Sequence, residues 1–107
     1  MKNLGQMMKQ AQEMQARMGE LQKRLETEEV TGQSGAGMVI VTMTCKGDAR
    51  RIALDSKLID PAEKEVLEDL IVAAINDARI KAEARMAEET TKLMGGLSLP
   101  PGFKLPF

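Results

Sequence analysis

The chain has no histidine, no tryptophan and no tyrosine, only two phenylalanines and a single cysteine. Without histidine it loses the commonest general base, the usual Ser-His and Cys-His nucleophile pairs, and most zinc sites. Paired acids such as Glu68 and Asp69 are neighbours in sequence and cannot face one another across a helix, so they read as a solvated face. No positioned set of acid, base and metal ligands emerges. The expectation is therefore no enzyme, no cofactor and no small-molecule substrate. The missing Trp and Tyr argue against stacking platforms for single strands, which leaves only Phe103 and Phe107 near the C-terminus. A lone Cys45 cannot close an internal disulfide, and its place in an alternating apolar run suits a small buried residue better than a reactive thiol. The first twenty residues carry no continuous apolar core of a signal peptide, and no run approaches the roughly 18 apolar residues needed to span a bilayer. The expected location is cytoplasmic, with no membrane partner.

What is present is periodic. At 107 residues the chain is long enough for one small domain, and its nine methionines predict an aliphatic, thioether-rich core. Residues 3–26 place Leu4, Met7, Ala11, Met14, Met18, Leu21 and Leu25 in alternating steps of three and four, the seam of a coiled-coil helix. Residues 38–45 and 49–55 change to a period of two around the turn residues Lys46-Gly47-Asp48, which predicts a β-hairpin. Alternation puts Val39, Val41, Met43 and Cys45 on one face and Met38, Ile40, Thr42 and Thr44 on the other. Residues 28–33 add a weaker outer strand, joined through Ser34-Gly35-Ala36-Gly37. The segment GQSGAG lacks the Gly-Lys-Ser/Thr ending of a phosphate loop and leads into a strand. Asp60 and Pro61 then open a helix over 61–94, with acids in its first turns. Gly95-Gly96 end that helix, and residues 95–107 form a Pro/Gly-rich tail. The predicted fold is α+β, α-β-β-β-α, in a single domain over 1–94. Two helices cannot cover both faces and the edge of so small a sheet while also projecting beyond it. A homodimer, with helices of two chains packing along their seams, solves that problem.

The net charge of −1 gives no global attraction to nucleic acid, but the charges segregate. Cations gather in 1–25 and 46–58, and acids in 26–29 and 60–77. No helix-turn-helix or zinc finger is apparent. Contact with duplex phosphates needs only spaced Lys and Arg. The candidates are Lys9, Arg17, Lys23 and Arg24 on the first helix, Arg50 and Arg51 on the hairpin, and Arg79, Lys81 and Arg85 on the second. The plainer alternative is that they solubilise exposed faces. For Arg50 and Arg51, alternation sends one side chain toward the packed face, where an acid would pair with it.

Five segments, MKQAQEMQARM at 8–18, VTGQSGAGMVIVTM at 30–43, RRIALD at 50–55, LEDLIVAAINDA at 67–78 and LPPGFKLPF at 99–107, together resemble the YbaB/EbfC family of bacterial nucleoid-associated proteins. The resemblance implies an intertwined, tweezers-like homodimer whose projecting helices act as arms. It implies binding of double-stranded DNA with limited sequence preference, a place in the nucleoid, and a role in chromosome organisation or gene expression. It also points to a replication or recombination protein as a further partner. The family's DNA contacts lie broadly on the two long helices, so they map onto the basic residues named above. An alternative is an adaptor that recruits such a factor through the Met-rich helices and the tail.

Overall fold

The computed structural model describes residues 3–94. The expected tail of residues 95–107, with Phe103 and Phe107, lies outside them. Helix α1 (Leu4–Thr27) leads into strands β1 (Glu29–Ser34), β2 (Val39–Thr44) and β3 (Ala49–Leu54), and helix α2 (Lys64–Met94) follows. The strands form one antiparallel sheet in the order β1-β2-β3. The architecture is α-β-β-β-α, as the patterning predicts.

Short 3₁₀ turns make the joints. Between β1 and β2 the turn Gly35–Gly37 places Gly35, Ala36 and Gly37 all at positive φ. Two glycines make that left-handed run accessible, and Ala36, between them, carries the strain of a positive φ with a side chain. Asp60 Oδ1 accepts from the Ala62 N–H at 3.0 Å and caps a 3₁₀ turn, Pro61–Glu63, which then feeds α2. The cap signal thus acts one turn ahead of the α-helix proper.

Helix α2 lies across β1 and β2. Val39, Val41 and Met43 pack with Leu58, Ala74, Ala78 and Ala82 in the main core. The small alanines bring helix and sheet close, and the approach is tightest at Gly32 of β1. A Cβ placed there would stand 2.2 Å from the Ala78 nitrogen and 2.4 Å from the Ala74 oxygen. Beside this contact, Ser34 Oγ donates to the Leu70 carbonyl at 2.5 Å, and the Gln33 N–H donates to Asp77 Oδ2 at 2.9 Å. A second cluster ties the helices together: Leu21, Leu25 and Cys45 are buried, with Met18, Val30, Met86 and Leu93 around them.

Two expectations need correction. Thr42 and Thr44 belong to the predicted outer face, yet both are buried. Thr44 Oγ1 accepts from the Asp48 N–H, and an irregularity in the β2–β3 pairing falls between Thr42 and Met43. The second is the packed face expected to receive one of Arg50 and Arg51: every residue of β3 is exposed. Ile52 pairs with Val41 and Leu54 with Val39, so both point to the α2 side of the sheet. Because α2 covers only β1 and β2, they remain uncovered there.

The molecule is elongated, 73 × 27 × 15 Å. Helix α2 spans 31 residues, about 46 Å at 1.5 Å per residue. Its C-terminal half is flanked by α1, and the segment that stands alone is the N-terminal half of α1, exposed at almost every position from Leu4 to Arg17.

Candidate nucleic-acid interface

The nine predicted cations do not form one patch. Positions on α1 follow from 100° per residue: Arg17 and Arg24 share one flank, whereas Lys9 and Lys23 lie opposite the seam. All four are exposed. Arg50 and Arg51 sit on β3, and Arg79, Lys81 and Arg85 on α2.

Four of the nine are engaged by carboxylates. Arg24 Nη2 meets Glu89 Oε2 at 2.6 Å, and Arg85 Nη2 meets Glu28 Oε1 at 2.5 Å. Longer contacts, Arg24–Glu28 at 3.9 Å and Arg85–Glu89 at 3.6 Å, close these four side chains into a ring. The ring joins the C-terminal end of α1, its cap residue Glu28 just before β1, and the last third of α2. The hydrogen bond to Glu28 raises the Arg85 pKa above its ordinary value. Lys81 pairs with Asp77 at 3.0 Å, one turn away. The Gln33 N–H first, and then Lys81, lower the Asp77 pKa.

Arg51 Nη2 bonds Glu29 Oε1 at 3.2 Å, across the sheet face that α2 does not cover. The pairing foreseen for one of Arg50 and Arg51 therefore exists, but not at a packed face: both residues are exposed, because β3 is covered on neither side. Among the described residues, Lys9, Arg17, Lys23, Arg50 and Arg79 have no carboxylate within 4.0 Å.

Arg17 and Arg24 converge, with Lys92, on an open groove of about 470 Å³ between α1 and α2, which Glu20 and Glu89 also line. Lys92 is absent from the predicted set. In sequence it stands three and four residues after Glu89 and Glu88, a pattern that reads as a solvated helix face, and it does contact both acids. The groove places three cations and two acids around open solvent, with Arg24 and Lys92 both reaching Glu89. Among the described residues no cluster of His, Cys, Asp or Glu could hold a metal ion, and no helix is long and apolar enough to cross a membrane. Cys45 is buried in the second core cluster, and burial first, then Glu28, raises its pKa.

Comparison with known proteins agrees with this architecture. A solved chain described as an uncharacterized protein from Helicobacter pylori superposes with a TM-score of 0.72, covering 86% of this chain and 97% of that one. At 22% identity, that likeness speaks for the fold alone. In sequence, the chain is 63% identical to a nucleoid-associated protein of Granulibacter bethesdensis and 64% identical to one of Rhodospirillum centenum, in each case over 107 residues and the whole of both chains. The model of the YbaB/EbfC DNA-binding family matches residues 1–97. With nearly its whole length matched and relatives this similar, the chain belongs to the YbaB/EbfC DNA-binding family of bacterial nucleoid-associated proteins.

Proposed function

We propose that this protein is a nucleoid-associated protein that binds duplex DNA as a homodimer, with limited sequence preference, and so affects chromosome organisation or gene expression. The observation that carries the reading is that five of the nine predicted cations, Lys9, Arg17, Lys23, Arg50 and Arg79, are exposed and without a carboxylate partner among the described residues, spread over α1, β3 and α2. Scattered guanidinium and ammonium groups hold phosphates and read no base edges, which gives affinity without specificity. Arg24, Lys81 and Arg85 join once DNA phosphates compete with their acids, and Arg51 does so from the hairpin.

Dimerisation rests on the uncovered side of the sheet. Ile52 and Leu54 lie beyond α2, and Ile59 in the following loop is exposed with them. Asp77 marks the flank of α2 beside β1, so the 100° rule turns Ile75, on the opposite flank, toward the β3 side, where it is exposed. An open edge strand beside an apolar row is a surface that monomers avoid, and a second copy of the chain covers it.

The test is duplex affinity over a salt series: log K falls by about 0.9 for every phosphate neutralised, equally for unrelated sequences. An adaptor for a replication or recombination factor is the second reading. It is favoured by Leu4, Met7 and Met8, large apolar side chains exposed on α1. That reading predicts no complex with duplex DNA even at low salt.

A further inference from the structure

Helix α1 uses only part of its apolar seam. Leu21 and Leu25 are buried against α2, whereas Leu4 and Met7 at the other end are 58% and 62% exposed. The two helices run antiparallel: Glu28 meets Arg85, Arg24 meets Glu89, and Leu21 clusters with Leu93. Helix α2 therefore advances along the seam toward the N-terminus of α1 and stops at Met94, near Arg17 and Met18. From Met18 to Leu4 the seam continues for about 21 Å at 1.5 Å per residue.

The chain beyond Met94 starts at this point. Residues 95–107 read GGLSLPPGFKLPF. At about 3.1 Å per residue in an extended, proline-compatible form, they reach about 40 Å, well past Leu4. Leu97, Leu99, Phe103, Leu105 and Phe107 make the segment apolar, it contains no acid, and it holds both phenylalanines of the chain. We propose that residues 97–107 dock on the N-terminal half of α1 in the same chain, over Met14, Ala11, Met7 and Leu4. The tail then continues, as an extended segment, the cover that α2 supplies to Leu21 and Leu25. A proline-rich strand suits this place, because it needs no ladder of backbone hydrogen bonds from the helix it lies on.

The absence of Trp and Tyr makes the test direct in the full-length protein. Phe103→Trp introduces a single fluorophore, and Phe107→Trp a second reporter in case the larger ring does not fit the first position. Docking predicts blue-shifted emission for at least one of them, unchanged on dilution. Adding Met7→Asp should return that emission to the solvent-exposed value. Ala16→Asp, on the opposite side of α1, should leave it blue-shifted. Met7 is exposed in the structure, so Met7→Asp should keep the fold, with circular dichroism as the check. Solvent-exposed emission from both reporters, a blue shift that survives Met7→Asp, or one that disappears on dilution would each overturn the proposal. The last result would assign the seam to a tail from another copy.

Discussion

Gly32→Ala should be among the most damaging single-methyl changes in this protein. The added Cβ would lie 2.2, 2.4 and 2.6 Å from the Ala78 nitrogen, the Ala74 oxygen and the Ala78 Cα. All three atoms are backbone, so no side-chain rotation relieves the overlap. Helix α2 must lift from β1, which loosens Val39, Val41 and Ala78, all fully buried. Overpacking ordinarily costs about 1–3 kcal/mol, and a clash with rigid backbone belongs at or above the top of that range. For a domain of this size, about 3 kcal/mol lowers Tm by roughly 12–24 °C. The assay is thermal unfolding followed by circular dichroism, at matched protomer concentration because the proposed dimerisation would couple to stability. Gly19→Ala serves as the control: it lies inside α1 with nothing within 4 Å of the new Cβ. There, greater helix propensity should stabilise by about 0.5–1 kcal/mol. A Gly32→Ala protein within about 0.5 kcal/mol of the parent would refute the close packing of β1 against α2.

Other perturbations follow from the same geometry. Combining Arg17→Glu with Arg79→Glu should weaken unrelated duplexes alike and flatten the salt slope by about 0.9 for each phosphate no longer neutralised; gel shifts over a salt series would measure both effects. Ile52→Asp should move the protein toward a single subunit in light scattering, since it places a charge in the apolar row on β3. Asp77 has a lowered folded pKa, so its bonds to Gln33 and Lys81 contribute stability that is fully present above the ordinary aspartate pKa of about 3.9 and is lost as pH falls through the folded value. Asp77→Asn should therefore be less stable than the parent near neutral pH, with the gap closing in acid, as read from urea melts at several pH values. Cys45 should react slowly with a thiol reagent in the native protein and quickly in denaturant, because burial both shields the thiol and raises its pKa.

Much of the fold was legible in the chain because single physical signals marked its elements. The three-and-four spacing from Leu4 to Leu25 announces α1, the alternation from Val39 to Cys45 marks β2, and Asp60-Pro61 mark the approach to α2. What escaped was set by tertiary placement. Alternation says that Ile52 and Leu54 share a face, but not that α2 stops short of them. Gly32 reads as a weakness in a strand, whereas in the fold it admits the backbone of another element. The seam of α1 reads as one continuous stripe. In the structure it is divided between a half packed against α2 and a half left open.

The cations show the same limit. Spacing reveals Arg17 and Lys92 as charges, but only the antiparallel packing of α1 and α2 brings them to one groove. The engagement of Arg24 and Arg85 by Glu28 and Glu89 joins residues far apart in the chain, which no local pattern encodes.

The central claim is that cations on separate elements, doubled by a second copy, hold the phosphates of a duplex whatever its sequence. Titrating two unrelated duplexes of equal length into protein shown to be dimeric by light scattering, from low to physiological salt, tests it most directly. Parallel lines of log K against log salt, with a slope corresponding to several phosphates at about 0.9 each, are the predicted result. A salt-independent affinity, or no complex at the lowest salt, would contradict it.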